Sequence, residues 1–421
     1  MSARNNSFIN LFILITLIFS APIIGNEIEI AKQKKFDFSQ LLKKVDSRFQ
    51  PIFQAPEKFR FQIIYTMVHR NQSNEPTFET FQFGMKDGTY FYPASAIKFP
   101  IAVLALEKLN NISSIDMDTP MKIEDHPIGL LGMNRDETSH SGYPSIAHFI
   151  HKLFIVSDND AFNRLYEFLG RDYINKRLWE LGYRSTRIHH RLGIGLSEKQ
   201  NLVTNQIQFF NQDGILYQQE SEISQLLLDT PFDNYFIGES HTVGNEVIPK
   251  PFDFSKKNYM SLKDKHNFLI HTIFPEVFEN REINLTERDK NYLYKCMSIL
   301  PRESHKPVYD REKYFDSYCK FFLFGDNHAT IPPNIRLFNK VGLAYGFLID
   351  SAYIVDFDNN VEFFLSAVVY GNENGIINDD TYDYESLTIP FLSELGRVIY
   401  EFELFRDKDY IPDLNRFKLE Y

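Results

Sequence analysis

Apolar and polar residues alternate with the period of strands near both ends of the chain, and with the period of helices in between. Residues 59–68 and 77–83 are β-rich and flank the polar stretch 71–75, which predicts a β-hairpin. Before this hairpin, Ser39 has the character of a helix N-cap, and the apolar spacing after it predicts a helix through Phe49.

The middle of the chain is predicted to be mostly helical, and residues 229–265 are predicted to be a loop-rich insertion. The predicted helices cover residues 146–156, 161–169, 173–181 and 287–300. The C-terminal third is predicted to contain β-rich segments at 338–356 and 361–370, a turn at 356–360 and a closing helix at 387–402. Strands at both ends with helices between them predict an α/β fold whose sheet joins distant parts of the chain.

The composition fits a globular protein and argues against general nucleic-acid binding. The 421 residues suffice for a large core, to which 40 phenylalanines and 23 tyrosines contribute. No basic stripe interrupts the formal net charge of −11, so we expect no nucleic-acid partner. The cysteines are Cys296 and Cys319, which an oxidising compartment would allow to pair.

The first 25 residues have the pattern of an export signal. Arg4 precedes an apolar run over residues 8–24, and Gly25 would end a cleavage site before Asn26. An uncleaved anchor is the alternative. No later run reaches the ~18 apolar residues that span a bilayer. We therefore expect an exported protein, periplasmic or secreted, with no stable membrane span after cleavage.

The stretch 93–100 places a serine three residues before a lysine and is followed by an apolar run. Residues three apart on a helix share a face, so Lys98 can reach the hydroxyl of Ser95. If the helix begins near Ala94, Ser95 lies in its first turn, where unpaired N–H groups and the helix dipole favour a developing anion. A serine nucleophile needs that environment, although many solvated helices carry the same spacing.

Two later triplets complete a set of three motifs: Ser-Asp-Asn at 157–159 and Lys-Val-Gly at 340–342. Ser-x-x-Lys, Ser-Asp-Asn and Lys-x-Gly in this order resemble the signature of class A β-lactamases and related penicillin-binding proteins. The resemblance covers roughly residues 58–400. It implies an antiparallel sheet flanked by terminal helices, with an inserted all-helical subdomain and an active site in the crevice between them.

Under this interpretation the chain has four parts. They are a signal peptide at 1–25, an N-terminal segment and helix at 26–57, a β-lactamase-like serine hydrolase domain at 58–405, and a charged tail at 406–421. The helical subdomain spans about residues 100–335, and its excess length over the family falls mainly at 200–330.

The resemblance implies catalytic roles for four residues. Ser95 would be the nucleophile that becomes acylated, and Lys98 would be its general base. Lys340 would lower the pKa of Lys98 by its charge and bind a substrate carboxylate. Ser157 would relay a proton between the lysines and the leaving group.

The resemblance also implies how a substrate is held. Asn159 would bind a substrate amide, and Gly342 would let the substrate backbone approach the edge strand. The backbone N–H groups of Ser95 and Leu343 would form the oxyanion hole. The family uses no cofactor and no metal, and we expect a monomer whose partner is a β-lactam or a peptidoglycan-like peptide.

Two positions depart from the family pattern. Val341 stands where a threonine or serine hydroxyl is common, which weakens the contact to a substrate carboxylate. Aligning residues 185–188 with the start of the loop that carries the family's deacylating glutamate places Leu192 at the glutamate position. His190 or Glu198 would have to substitute for it.

Three functions therefore stay open. The first is a serine hydrolase that cleaves β-lactams or related amides through an acyl-enzyme at Ser95. The second is a penicillin-binding peptidase or esterase relative that deacylates slowly. The third is a non-catalytic relative that binds peptide or glycan. His189 and His190 lack the spaced partners of a metal site.

Overall fold

The computed structural model describes residues 36–86 and 88–421, so the predicted signal peptide and its cleavage site lie outside the described residues. Residues 38–421 form one compact unit. No helix in the described part of the chain is both long and apolar enough to cross a membrane.

The helices and strands are numbered here in chain order. The helices are α1 (Phe38–Leu42), α2 (Gln50–Gln54), α3 (Lys98–Asn110), α4 (Ile146–Ile155), α5 (Asn159–Leu169), α6 (Arg171–Glu180), α7 (Glu198–Asn201), α8 (Leu262–Ile273), α9 (Glu287–Ser298) and α10 (Ile389–Phe405). The strands are β1 (Gln62–Arg70), β2 (Pro76–Phe83), β3 (Met121–Ile123), β4 (Ile207–Asn211), β5 (Gly214–Gln219), β6 (Phe236–Ile237), β7 (Ser240–Val243), β8 (Glu246–Ile248), β9 (Phe252–Asp253), β10 (Ile335–Asn339), β11 (Gly342–Ala344), β12 (Phe347–Asp356), β13 (Val361–Tyr370) and β14 (Ile376–Ile377).

The main sheet is antiparallel and joins the two ends of the chain. Its order is β10-β12-β13-β1-β2. The short strand β11 also pairs with β12, at residues 347–349, whereas β10 pairs with residues 352–356. Both predicted hairpins are confirmed: β1 pairs with β2 around the polar turn, and β12 pairs with β13. The α/β fold class is confirmed, with the sheet assembled from distant segments.

The two faces of the main sheet are covered by different helices. On β1, Tyr65 donates a hydrogen bond to Glu403 of α10, whereas the next residue, Thr66, contacts His266 of α8 at 2.8 Å. Successive side chains of a strand point to opposite faces. The sheet therefore lies between α8 and α10, and β12 and β13 are accordingly buried along nearly their whole length.

The segment between β2 and β10 holds the helical core, but it is not all-helical as predicted. Helices α3, α4 and α5 pack against one another, and α9 packs against α4. The same segment also contains the short sheets β3-β4-β5 and β6-β9 and the pair β7-β8. The β4–β5 hairpin turns at Gln212 and Asp213, and the dipeptide Asp213-Gly214 is a sequence signal of a hairpin rather than a helix.

Three further predictions need correction or completion. The helix predicted from Ser39 to Phe49 is interrupted, because the Asp46 carboxylate accepts a hydrogen bond from the Arg48 N–H and starts a separate 3₁₀ turn. The charged tail is anchored, because Phe417 is fully buried against aromatic residues of the core. Both cysteines are free and buried, so the disulfide that the sequence left open is not formed.

Candidate active site

The predicted nucleophile lies in a tight turn at the start of α3. Residues Ala94–Ile97 form a 3₁₀ turn that leads directly into the helix, as the predicted start near Ala94 requires. Ala94 has φ +47°, a left-handed conformation that is uncommon for a residue with a Cβ. Ser95 is half-buried and lines the adjacent cavities.

Lys265 of α8 holds this turn through a hydrogen bond. Its buried amine donates a hydrogen bond to the Ala96 carbonyl at 3.0 Å. Burial, and after it the charge of Lys340, lowers the pKa of Lys265 to about 7. The turn that carries the nucleophile is thus fixed by an amine that the sequence motifs do not include.

Lys98 connects the nucleophile helix to the Ser-Asp-Asn turn. Its Nζ atom is fully buried with the rest of the side chain and donates to the Ser157 carbonyl at 2.5 Å and to Asn159 Oδ1 at 2.6 Å. The Ser157 hydroxyl lies 3.4 Å from the same nitrogen. Burial and the positive charge of Lys340 hold the pKa of Lys98 well below its usual range, so the amine can be neutral and act as a base.

Residues 156–158 form the turn between α4 and α5, and Asn159 is the first residue of α5. Ser157 has φ +58°, again in the left-handed region. Asp158 is the N-cap of α5, and its carboxylate accepts from the Ala161 N–H at 2.8 Å. The cap fixes the direction in which the next residue, Asn159, projects toward Lys98.

Lys340, like Lys98, contacts the hydroxyl of Ser157. It lies between β10 and β11 at the edge of the main sheet, and its Nζ donates to Ser157 Oγ at 2.8 Å and to the Val341 carbonyl at 2.9 Å. Burial lowers the pKa of Lys340 to about 8. Two amines from segments far apart in sequence therefore converge on one hydroxyl.

A buried polar network holds the end of β10 just before Lys340. The Lys320 amine donates to Asn339 Oδ1 at 2.6 Å, and the Asn339 amide donates to Asp350 Oδ1 at 2.8 Å. Burial lowers the pKa of Lys320 to about 8. Since each member has a partner, the network fixes the strand end rather than weakening it.

The edge strand β11 passes directly over the nucleophile turn. A Cβ atom placed on Gly342 would lie 2.4 Å from the Pro93 carbonyl oxygen and 2.8 Å from the Ala96 nitrogen. Only glycine permits this approach. Leu343 follows at 40 % exposure and lines the same cavities as Ser95, so the two residues predicted for the oxyanion hole lie in one groove.

Two cavities are lined by Ser95, and a third shares lining residues with one of them. The nucleophile cavity, about 380 Å³, is lined by Ser95, Ser157, Asn159 and Leu343. The tyrosine mouth, also about 380 Å³, shares Ser95, Asn159 and Leu343 with it and adds four tyrosines, Tyr92, Tyr345, Tyr382 and Tyr384. The basic cavity, about 530 Å³, shares Tyr92, Leu192, Gly193 and Tyr345 with the mouth. Together they form one groove.

Some residues of this groove were missed by the sequence reasoning. Cys319 and His328 line the nucleophile cavity, and Tyr345 separates the mouth from the basic cavity. None belongs to a motif, and Cys319 and His328 come from the 200–330 expansion or its border. Of these residues, only Tyr345 lies where the sequence itself predicts a local structure, because Gly346 after it indicates a turn.

The loop where the family carries its deacylating glutamate does lie beside the site. The Asn163 side chain donates to the Leu192 carbonyl at 3.0 Å and accepts from the Leu192 N–H at 2.8 Å. A Cβ on Gly193 would lie 2.4 Å from Asn159 Nδ2, so the loop touches the Ser-Asp-Asn turn. The side chain at this position is the apolar Leu192, which lines the tyrosine mouth.

The two possible substitutes for the glutamate line the basic cavity instead. Glu198 is exposed and paired with Lys256 at 3.1 Å. His190 contacts the Arg191 carbonyl through Nδ1 at 2.6 Å, and burial lowers the pKa of its imidazole to about 4. Neither residue is among the lining of the nucleophile cavity in the described part of the chain.

The model of the β-lactamase enzyme family matches residues 47–233, a segment that contains Ser95, Lys98, Ser157 and Asn159. Among solved structures, the chain is similar to a β-lactamase from Sphaerobacter thermophilus, with 13% identity, 89% of this chain and 100% of that chain covered, and a TM-score of 0.45. It is similar to a class A β-lactamase from Clostridium kluyveri, with 11% identity, 84% and 97% covered, and a TM-score of 0.44. It is also similar to the protein PBP-A, with 14% identity, 86% and 97% covered, and a TM-score of 0.44. No curated protein matches the chain. The family model thus confirms the resemblance found in the motifs: over residues 47–233 the chain matches the β-lactamase enzyme family.

Proposed function

We propose that this protein is a serine hydrolase that forms an acyl-enzyme at Ser95 with a β-lactam or a related amide and then hydrolyses it. The observation that carries the proposal is the convergence of two buried amines on one hydroxyl. Lys340 Nζ lies 2.8 Å from Ser157 Oγ, and Lys98 Nζ lies 3.4 Å from it. Titratable groups with shifted pKa values that converge beside a cavity are typical of functional sites.

Acylation follows from the roles of these groups. Neutral Lys98 takes the proton of the Ser95 hydroxyl as Oγ bonds to the substrate carbonyl carbon. The resulting oxyanion accepts hydrogen bonds from the backbone N–H groups of Ser95 and Leu343. When the C–N bond breaks, the leaving nitrogen receives a proton through the Ser157 hydroxyl, which both amines contact. Protonated Lys340 binds the substrate carboxylate, with no hydroxyl on Val341 to assist it.

Hydrolysis of the acyl-enzyme needs a base that activates water, and here the site departs from a fast β-lactamase. Leu192 occupies the glutamate position, and Glu198 lines the basic cavity, where it pairs with Lys256. These observations favour a second candidate function, a penicillin-binding peptidase or esterase relative whose acyl-enzyme is long-lived. The two candidates share the chemistry at Ser95 and differ in the lifetime of the adduct.

An intact-mass time course with benzylpenicillin tests both candidates. We expect a mass increase equal to one penicillin in the wild-type protein and none in a Ser95→Ala variant. Decay of the adduct within seconds, with turnover of a chromogenic cephalosporin, supports the hydrolase. Persistence for hours supports the slow-deacylating relative. No adduct at any time would reject acylation and leave the non-catalytic peptide- or glycan-binding relative.

We also propose that the protein is exported. The support is the sequence pattern alone: Arg4 before the apolar run 8–24, and a small residue at Gly25. N-terminal sequencing of protein purified from its native source should begin at Asn26. An intact Met1 in protein that remains in the cytoplasm would reject export.

A further inference from the structure

The basic cavity is continuous with the site of acylation but does not belong to the motif residues. It encloses about 530 Å³ and opens into the tyrosine mouth past Leu192, Gly193 and Tyr345. A compact bicyclic ring held at Ser95 and Lys340 would leave it empty. The residues that line this cavity therefore indicate which chemical group a larger substrate carries on that side.

Two of the cations that line the basic cavity lack a carboxylate partner among the described residues. The Arg171 guanidinium donates to Ser224 Oγ at 2.8 Å and to the Leu226 carbonyl, both neutral groups. Lys257 is half-buried, and its amine lies 5.8 Å from the ring centre of Tyr345. Partly buried charges are poorly solvated, so an anion that enters beside them is attracted more strongly than at an open surface.

The other charged groups of this cavity are already neutralised. Lys256 pairs with Glu198 at 3.1 Å, and the Arg191 guanidinium pairs with Glu167 at 3.3 Å. Among the described residues that line the cavity, Glu198 is the one carboxylate, and the neighbouring Lys256 balances its charge. The uncompensated charge of the cavity is positive.

The imidazole of His190, which also lines the basic cavity, does not change this charge. Burial lowers its pKa to about 4, so the ring is neutral near pH 7. Because Nδ1 contacts the Arg191 carbonyl at 2.6 Å, Nδ1 carries the proton. The Nε2 atom is enclosed by protein atoms, so it presents no acceptor to an anion that enters the cavity.

The position of Asn159 determines which part of a substrate points this way. This side chain lies against Gly193, at the border between the nucleophile cavity and the groove toward the basic cavity. Under the proposed function, Asn159 holds the amide on the acyl side of the scissile bond. A substituent that continues from that amide past Gly193 enters the basic cavity, whereas the leaving-group carboxylate lies at Lys340.

We propose that the acyl side of the substrate carries a carboxylate, which binds in the basic cavity beside Arg171 and Lys257. The natural substrate is then an acidic, peptide-like amide with negative charge on both sides of the scissile bond. The inference rests on the proposed function for its orientation, since Asn159 must hold the acyl-side amide. It does not depend on whether deacylation is fast or slow.

Binding to the Ser95→Ala protein tests the inference without requiring any chemistry. Isothermal titration compares α-carboxybenzylpenicillin with α-aminobenzylpenicillin, which differ only in the charged substituent on the acyl side chain. We expect the carboxy compound to bind at least about tenfold more tightly, as one screened ion pair in a partly buried site allows. Adding Lys257→Gln should remove most of that preference, and Arg171→Gln should reduce it.

Lys263→Gln provides the matched control, because it removes an exposed lysine that lines none of the three cavities. It should keep the preference. Equal binding of the two penicillins, a preference for the amine, or no binding of either would overturn the inference. Acylation of the wild-type protein by benzylpenicillin, measured separately, reports on the proposed function alone, so the two failures are distinguishable.

Discussion

Replacing Lys340 with methionine should make acylation strongly pH-dependent in a way that the charge-keeping Lys340→Arg variant does not. Both lysine amines lie within hydrogen-bonding reach of Ser157 Oγ, at 3.4 Å and 2.8 Å, so the amines of Lys98 and Lys340 are at most about 6 Å apart. At an effective dielectric constant of about 20, two positive charges at that distance repel by about 3 kcal/mol. That energy corresponds to about 100-fold in the fraction of Lys98 that is neutral at a fixed pH below its pKa.

The sign follows from the role of Lys98 as a base. Removing the neighbouring charge raises the pKa of Lys98, so a smaller fraction is neutral and the acid limb of the rate profile moves to higher pH. The measurement is the first-order acylation rate at saturating benzylpenicillin, followed by quenched intact mass between pH 5 and 9. We expect the ratio of Lys340→Arg to Lys340→Met rates to reach about 100 at the acid end and to approach a constant at the alkaline end. A ratio that does not vary with pH would refute the electrostatic reasoning, whatever its size.

Three further predictions test other parts of the site. Leu192→Glu should shorten the lifetime of the benzylpenicillin adduct by about 100-fold, because it returns a general base to a backbone position already fixed by Asn163; an unchanged lifetime by intact mass would contradict this. Gly342→Ala should slow acylation by about 100-fold, because its Cβ would displace the nucleophile turn, whereas Gly195→Ala, whose Cβ meets no atom within 4 Å, should not. Each buried lysine that is neutral when folded and protonated when unfolded should add about 1.4 kcal/mol per pH unit to the free energy of unfolding between pH 8 and about 9.5. Such lysines include Lys265, Lys320 and Lys340, with pKa values lowered to about 7, about 8 and about 8, whereas Cys296, whose pKa burial raises to about 12, acts in the opposite direction. Urea denaturation of the wild-type protein and of Lys320→Met at the two pH values isolates one lysine, and equal pH slopes in the two proteins would show that this amine stays charged in the folded protein.

The periodic parts of the fold were predictable from the sequence. The segment 361–370 was predicted as a strand and is β13 over the same residues, because β-branched and aromatic residues bounded by a polar turn leave little alternative. The turn itself is held by Asp356, whose carboxylate accepts from the Asp358 N–H at 2.9 Å. This is the local chemistry that an aspartate in a turn predicts.

Helix α8 was not predicted, for a physical reason. Its buried face includes Lys265 and His266, whose polar character interrupts the apolar stripe by which an amphipathic helix is recognised. Both side chains are satisfied by distant partners, the carbonyl of Ala96 and the hydroxyl of Ser366. Such partners become visible only when the sheet and the nucleophile turn are brought together.

The candidate site, like the fold, was predictable only in part from the sequence. The motifs placed Ser95, Lys98, Ser157 and Lys340 in sequence, and the structure brings the two amines to the Ser157 hydroxyl. The walls of the groove could not be predicted, because Tyr345 and Cys319 come from segments with no motif and meet only through tertiary packing. The basic cavity combines Arg171 with Lys257, residues separated by a long stretch of the insertion.

The left-handed backbone at Ser157 has a consequence for how variants of this protein would behave under selection. A residue with a Cβ at φ +58° costs about 1–2 kcal/mol that glycine would not. Screening for heat resistance alone should therefore enrich Ser157→Gly, a variant that relaxes the chain and at the same time deletes the hydroxyl on which both amines meet. Under the proposed function, directed evolution of thermotolerance in this scaffold must score acylation of Ser95 and melting temperature together, because a gain in melting temperature can abolish acylation.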